Sequence, residues 1–243
     1  MKKLFVILAA LALIWAFAAP ASAADWNFYG SARMATFWTS SETGDGGSKV
    51  EESELDWSWQ NNSRIGARVK GETVSGRFEL GLKADGTSDV DVGTRRLAAS
   101  WNFGAGTLSI EKGYTSFNQF VSGQVARVDA GLLGRGFMYA GRPGFIGLSF
   151  GGFGIQFIDP NTGDISDAAG AATGGDVDVI LPKIEANWGM AFDAWNFQLR
   201  GGYQYYCIKD VATAGGSEDI GVNSMGLGAD GRFNFGPAYV GAG

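Results

Sequence analysis

Hydrophobic and polar residues alternate along residues 55–70, giving this stretch two chemically opposite faces. One face is mostly apolar and the other is polar or charged; the apolar positions are Leu55, Trp57, Trp59, Ile65, Ala67 and Val69. Arg64 and Arg68 lie among the polar positions. A period of two residues is that of a β-strand, so the pattern predicts one long amphipathic strand over residues 55–70.

The same alternation recurs along the chain, which predicts an all-β, antiparallel fold. The other segments with this pattern are 26–38, 74–84, 96–103, 107–110 and 195–205. The connections alternate between tight glycine turns and longer polar loops, the long ones being 39–53, 85–93, 115–136, 159–176 and 209–219. Short turns at one rim and long loops at the other are typical of a transmembrane β-barrel.

Tryptophan positions favour the same fold class over a soluble β-sandwich. The predicted strands place Trp38, Trp57 and Trp59 near the long-loop rim and Trp26, Trp101, Trp188 and Trp195 near the short-turn rim. Aromatic side chains form girdles at both interfaces of membrane barrels. A sandwich core would not require tryptophans at strand ends on the side away from the charges. We therefore expect a partial antiparallel transmembrane β-barrel of about ten or eleven strands.

The two ends of the chain give separate signals. Residues 1–23 combine Met1-Lys2-Lys3, an apolar run and Ala21-Ser22-Ala23, the pattern of a secretory signal peptide cleaved after Ala23. This leaves residues 24–243 as one β-domain. Residues 237–243 begin an eleventh strand, whereas closed bacterial barrels have even strand numbers. The expectation is a C-terminally truncated fragment of a longer protein.

Composition narrows the functional classes. The 39 glycines, 17 phenylalanines and 8 tryptophans suit many short strands and tight turns. A net charge of −6 argues against a nucleic-acid partner. Cys207 is the single cysteine and is expected to be a packed apolar residue, and there is no histidine for His-dependent catalysis or zinc binding. We expect no enzyme activity, no metal and no cofactor.

Charged residues collect on the polar face of consecutive predicted strands. These residues are Arg33, Arg64, Arg68, Arg77, Glu79 and Arg96. In a barrel they would line the water-filled interior, where the arginines form a positive stripe. Two interpretations stay open for each arginine: it selects solutes by charge, or it is a solvated residue that balances Glu79 and the acidic loops.

Several ordered motifs over residues 26–158 resemble those of the general bacterial porins. They are Phe28-Tyr29-Gly30-Ser31, Asn62-Ser63-Arg64-Ile65-Gly66-Ala67-Arg68-Val69-Lys70-Gly71-Glu72, Glu111-Lys112-Gly113-Tyr114 and the segment from Arg142 through Pro143 to Phe150. The resemblance implies a sixteen-stranded barrel in the outer membrane and a homotrimer of the full-length protein. It also implies passive diffusion of small hydrophilic solutes and ions past a third loop that folds into the pore.

The resemblance points to particular constriction residues. Arg64 and Arg142 match its arginine cluster, and Lys112 is a further candidate. Simple alternation would turn Lys112 toward lipid at a cost of about 2–4 kcal/mol, so we expect a bulge or register change there. The acidic loop motif of the family is absent, and Asp129 is the only carboxylate between Thr115 and Gly136.

The leading hypothesis is therefore an outer-membrane porin, in contact with lipid, that passes small hydrophilic solutes. The alternative is a structural or adhesive outer-membrane barrel without a conducting pore, since small barrels fill their interior with side chains. Outer-membrane proteases and phospholipases both use an active-site histidine. This sequence contains no histidine, which argues against an enzyme.

Overall fold

The computed structural model describes residues 24–44, 50–84, 90–119, 125–126, 129–130, 138–160, 162, 176–213 and 215–243. The predicted signal peptide, residues 1–23, lies outside these ranges. The described chain is all-β and every strand pairing is antiparallel, as predicted. The strands are β1 (Asp25–Ser31), β2 (Met34–Thr43), β3 (Val50–Trp59), β4 (Arg64–Lys70), β5 (Val74–Ala84), β6 (Val90–Asn102), β7 (Thr107–Lys112), β8 (Val125–Ala126), β9 (Asp129–Ala130), β10 (Gly144–Phe150), β11 (Phe153–Ile158), β12 (Val177–Asp178), β13 (Lys183–Ala191), β14 (Trp195–Thr213), β15 (Gly216–Phe235) and β16 (Ala238–Ala242).

One sheet contains most of the chain. Its strand order is β1-β4-β5-β6-β7-β10-β11-β13-β14-β15-β16, and β12 adds to β14. Strands β2 and β3 form a separate hairpin, and β8 and β9 form a small ladder. Within the described ranges, β1 and β16 are the two edges of the sheet and do not pair with each other. No described helix is long and apolar enough to cross a membrane.

Cross-strand register separates the sheet into a polar face and an apolar face. One row of paired residues on the polar face runs Ser100, Ser109, Gly147, Gln156, Glu185, Gly202 and Gly226. The adjacent row on the apolar face runs Trp101, Leu108, Leu148, Ile155, Ala186, Gly201 and Leu227. Neighbouring residues of a strand point to opposite sides, so the alternation seen in sequence extends across the sheet.

The prediction of one continuous strand over residues 55–70 is wrong, because residues 60–63 separate β3 from β4. The Gln60 N–H donates to the Arg33 carbonyl at 2.9 Å, and the Arg33 N–H donates to Ser63 Oγ at 3.0 Å. The Ser63 N–H turns back to the Gln60 carbonyl at 2.9 Å. Asparagine and serine favour such local turns over a continuous ladder, so Asn61-Asn62-Ser63 breaks the strand.

Strands also continue into segments predicted to be loops. Thr213 pairs with Gly216, so β14 and β15 form a long hairpin across most of residues 209–219. A register shift between Ile208 and Val211 lies within this hairpin, and Asp210 there has a φ of 52°. Aspartate tolerates this left-handed conformation better than most residues, so the polar sequence marks an irregularity within a strand.

The register change expected near Lys112 is not observed, and the register shifts lie on other strands. Lys112 pairs with Leu97 on one side and Gly144 on the other, and the register of β7 is unbroken. Lys112 therefore shares the apolar face, and the predicted register change there is wrong. Its Nζ donates to the Arg142 carbonyl at 3.1 Å, so the ammonium finds a partner beside the strand end.

The observed bulge is between β5 and β6. Glu79 pairs with Arg96 and Leu80 pairs with Thr94, which leaves Arg95 as the extra residue. A bulge places two residues opposite one and changes the direction of a side chain that strict alternation would assign. Arg95 is consequently buried against Glu79, on the same side of the sheet as Arg96.

A close approach at Gly66 generates a stability prediction. A Cβ built on Gly66 would clash with the Phe78 carbonyl oxygen of the paired strand and would lie 2.9 Å from the Tyr29 Oη and 3.0 Å from Cζ, whereas one on Gly93 meets no atom within 4 Å. We expect Gly66→Ala to cost about 1–3 kcal/mol in free energy of unfolding, because both the β5 backbone and the phenol ring must move.

The measurement is urea denaturation of the folded chain in detergent, followed by tryptophan fluorescence. Gly93→Ala is the matched control and should leave the denaturation midpoint nearly unchanged. Equal midpoints for the two variants would show that neither the Phe78 carbonyl nor the Tyr29 ring crowds Gly66.

Candidate functional site

A buried carboxylate organises the polar face of the first strands. Glu79 of β5 has no exposed side-chain surface. It accepts hydrogen bonds from Arg77 Nη2 at 2.7 Å, Tyr29 Oη at 2.9 Å and Arg95 Nε at 3.0 Å. Arg64 Nη1 lies 3.7 Å from the same carboxylate. Three guanidiniums therefore surround one negative charge, which satisfies its oxygens without neutralising the positive charges.

Arg95 connects this carboxylate to two other parts of the chain. Its Nη1 donates to the Asn61 carbonyl at 3.2 Å, and its Nη2 donates to the Tyr114 Oη at 3.3 Å. The bulge thus joins β5, the interruption between β3 and β4, and the start of the segment that follows β7. Sequence analysis missed Arg95, although the adjacent Arg95-Arg96 pair carries a signal, since strict alternation would place one of the two on the apolar face.

Tyrosine rings lie between guanidiniums on the same face. Arg68 Cζ is 5.3 Å and Arg77 Cζ is 5.4 Å from the Tyr29 ring centroid. Arg96 Cζ is 5.6 Å and Arg142 Cζ is 4.9 Å from the centroid of Tyr114. These separations fall within the range of cation–π attraction. The two rings reduce the repulsion between neighbouring cations by separating them with negative ring faces.

We call this group the arginine wall. Its members are Arg64, Arg68, Arg77, Arg95, Arg96 and Arg142 with Tyr29, Tyr114, Glu79 and Glu111. Arg96 pairs with Glu111. Six guanidiniums face two carboxylates, so the wall has a net positive charge, and guanidiniums stay protonated in proteins.

The structure brings together most, but not all, of the residues singled out from sequence. Arg33 is exposed at the junction of β1 and β2, and its backbone makes the contacts to residues 60–63. Lys112 lies on the opposite face from Glu111 and is not part of the arginine wall. Asp129 pairs with Ala126 in the β8–β9 ladder, while its side chain lies outside the described part of the structure.

The segment after β7 is fixed to the polar face of distant strands. The Ser116 N–H donates to Gln156 Oε1 at 2.6 Å, and Ser116 Oγ donates to Asn187 Oδ1 at 2.8 Å. The Phe117 N–H donates to Glu185 Oε2 at 2.8 Å. Residues 115–119 form what we call the anchored segment, and it crosses from β7 to the faces of β11 and β13.

The two described ends of the 113–143 connection are joined to each other. The Gln119 N–H donates to the Met138 carbonyl at 3.0 Å, and the Ala140 N–H donates to Asn118 Oδ1 at 2.9 Å. Gln119 Nε2 also donates to the Ala229 carbonyl of β15 at 3.4 Å. Both ends therefore lie over the polar face, on the same side of the sheet as the arginine wall.

A second buried carboxylate holds the anchored segment. Glu185 of β13 has no exposed side-chain surface, and Lys183 Nζ lies 2.7 Å from its Oε1. Further along the polar face Arg200 pairs with Asp230 and donates from Nη2 to Gln198 Oε1 at 2.6 Å. Sequence analysis did not identify this group. The signal was the charged pair Lys183 and Glu185 at alternate positions of an otherwise apolar segment.

Near the β14–β15 turn the structure contains an exposed ion pair. Lys209 Nζ donates to Asp219 Oδ2 at 2.7 Å, and the Asp210 N–H donates to Asp219 Oδ1 at 3.2 Å. The hydrogen bond from Lys209, reinforced by the one from Asp210, lowers the pKa of Asp219 below its ordinary value. The same contact raises the pKa of Lys209. This pair supports the irregular part of the hairpin at the register shift.

Comparison of the chain with protein-family models, with curated proteins and with solved structures found no match. Within the described ranges, no group of three or more Asp, Glu, Cys or His side chains could hold a metal ion. The functional argument therefore depends on the two faces of the sheet, the arginine wall and the anchored segment.

The contacts of Arg95 generate a prediction about the arginine wall. We expect Arg95→Ala to cost about 3–5 kcal/mol in free energy of unfolding, because it removes one partner of a buried ion pair. The measurement is urea denaturation of the folded chain in detergent.

Arg68→Ala is the matched control, since Arg68 is exposed and its contact with the Tyr29 ring is a cation–π contact. It should cost about 1 kcal/mol or less. A loss for Arg95→Ala no larger than for Arg68→Ala would mean that the bulge arginine is dispensable for folding.

Proposed function

We propose that this chain forms an outer-membrane β-barrel channel of the general porin class, for passive diffusion of small hydrophilic solutes and ions. The proposal includes export by a cleaved signal peptide over residues 1–23. It takes the closed sixteen-stranded form and the homotrimer from the resemblance of the motifs to that family. The observation that carries it is the distribution of apolar side chains over the surface of the sheet.

Apolar exposure is inverted relative to a water-soluble protein. Among described residues, 34 large apolar or aromatic side chains are exposed and five apolar side chains are buried. Leu227 is 88% exposed, and Phe28 is 74% exposed. Soluble monomers rarely expose contiguous apolar patches larger than a few hundred Å². Lipid contact accounts for this face. The backbones of the inner strands of the main sheet are paired on both sides, while in the proposed closed barrel the edge strands β1 and β16 would also need partners.

The length of the apolar face fits a bilayer. Trp195 and Tyr205 are ten positions apart along the continuous strand β14, and both are exposed. At about 3.3 Å per residue they are separated by about 33 Å along the strand. A strand tilt of about 45° projects this onto about 23 Å, close to the apolar band of about 25 Å of outer-membrane barrels. The two aromatic side chains would then mark the two interfaces.

The polar face supports a passage that favours anions. The arginine wall presents an excess of guanidiniums, and Glu79 lies behind them with no exposed surface. The anchored segment lies over the same face, so it would narrow the space that the wall lines. Rings of fixed charge in a narrow passage favour counter-ions. We therefore propose that small anions pass more readily than cations of similar size.

The direct test is conduction by the purified full-length protein in planar lipid bilayers and solute entry into liposomes. We expect stepwise increases in current and swelling in isotonic solutions of small sugars. Inserted protein that gives neither would contradict the channel and favour the alternative of a structural or adhesive barrel.

Charge selectivity provides a more specific prediction. Replacing Arg64 by Ser should shift the single-channel reversal potential in a salt gradient away from anion preference, because it removes a fixed positive charge beside Glu79. Arg68→Ser, nearer the predicted periplasmic rim, should shift it less. The difference should disappear as ionic strength rises, since the Debye length falls from about 30 Å at 0.01 M to about 3 Å at 1 M.

Lys112→Ser is the matched control because it removes one positive charge from the opposite face of the sheet. It should leave the reversal potential unchanged. A shift for Lys112→Ser as large as that for Arg64→Ser would contradict the assignment of the arginine wall to the passage.

A further inference from the structure

We propose that Phe117 sets the size limit of the passage by resting on two paired glycines of β14 and β15. This inference rests on the proposed function and adds a specificity-determining residue that the sequence did not indicate. We call the contact of Phe117 with Gly202 and Gly226 the glycine seat. The two glycines face each other in the β14–β15 ladder.

The glycine seat leaves no room for a larger residue on either strand. A Cβ built on Gly202 would lie 3.0 Å from Phe117 Cε2 and 3.2 Å from Cδ2. One built on Gly226 would lie 2.7 Å from Cζ and 2.9 Å from Cε1 of the same ring. The Phe117 ring therefore packs directly against the backbone of both glycines. This is possible because glycine has no side chain that would separate the ring from the strand.

Hydrogen bonds fix the backbone on which the ring is mounted. The Phe117 N–H donates to Glu185 Oε2 at 2.8 Å, and the preceding Ser116 N–H donates to Gln156 Oε1 at 2.6 Å. Gln119 holds the other end by its bond to the Ala229 carbonyl at 3.4 Å. The anchored segment is thus fixed on both sides of the ring, so the backbone that carries the ring cannot move away from the seat without breaking polar contacts.

A cavity beside the Phe117 ring indicates how loss of the ring would change the width of the passage. A cavity of about 200 Å³ borders Phe117 and the seat, and its polar lining comes from Lys183, Gln204 and Ser224. Loss of the ring would add its volume to this cavity. The passage would then become wider at this point, while the arginine wall, on other strands, would keep its charge.

The first experiment tests the seat without requiring conduction. In a Cys207→Ser background, Phe117→Cys with Gly202→Cys should be joined within the chain by a short bifunctional thiol reagent. Phe117→Cys with Gly201→Cys is the matched control, because Gly201 lies on the opposite face of β14 and its Cβ would meet only Leu227 at 3.4 Å. Equal crosslinking yields for the two cysteine pairs would contradict the contact of Phe117 with the glycine seat.

The second experiment tests the size limit by liposome swelling, as the ratio of the rate for a neutral trisaccharide to that for a monosaccharide. We expect Phe117→Ala and Gly202→Val each to raise this ratio, because one removes the ring and the other displaces it. Gly201→Val should leave it unchanged. Glu185→Leu should also raise the ratio of the trisaccharide rate to the monosaccharide rate. Loss of a hydrogen bond to a charged group corresponds to about a tenfold shift in the equilibrium between the seated and the displaced position of Phe117.

The outcomes separate this inference from the proposed function. If the unmodified chain causes no swelling, the channel proposal fails, whatever the crosslinking shows. If the unmodified chain conducts but Phe117→Ala leaves the ratio unchanged, Phe117 does not set the size limit. Phe117→Ala decides the question even where Gly202→Val does not fold, because it introduces no overpacking.

Discussion

The strands of the main sheet place most of their apolar side chains on the same side, and this constraint determines where most polar groups can go. Phe145 and Ile158, which pair with Glu111 and Lys183 and are buried on the polar face, are exceptions. A residue such as Leu227 on the apolar face meets no other part of the described chain that covers it. Polar side chains therefore have one available face, and on it they must satisfy one another. The arginine wall and the anchored segment share that face because the register of the strands leaves them no alternative.

Two buried carboxylates connect the wall of the sheet to the segment that crosses it. Glu79 reaches the start of this segment through Arg95 and Tyr114, and Glu185 accepts the N–H of Phe117 directly. An isolated buried carboxylate would be costly, and here cations and backbone or side-chain donors surround each one. The position of the segment and the hydrogen bonding of the two carboxylates therefore depend on each other, since displacing the segment would remove donors from buried groups.

The period-two pattern predicted the all-β antiparallel fold and the faces of most strands, because alternation depends only on neighbouring residues. It placed Arg64, Arg77 and Glu79 on one face, which the register confirms. It missed the interruption at residues 60–63, where a local turn combines with contacts to the distant Arg33, and the bulge at Arg95, whose partners are far away in sequence. The contact of Phe117 with the glycine seat could not be predicted from the pattern either, because the paired glycines lie far from Phe117 in sequence.

Burial also determines which charges the polar face presents. Glu79 is fully buried, whereas the side chains of Arg77 and Arg64 are 18% and 26% exposed. The positive groups therefore lie between the carboxylate and the space above the wall. Because a guanidinium does not lose its proton in a protein, its charge there is independent of pH over the physiological range. In the proposed channel, solutes would meet a fixed positive surface on one side and, across from it, the ring of Phe117 and the polar groups that hold it.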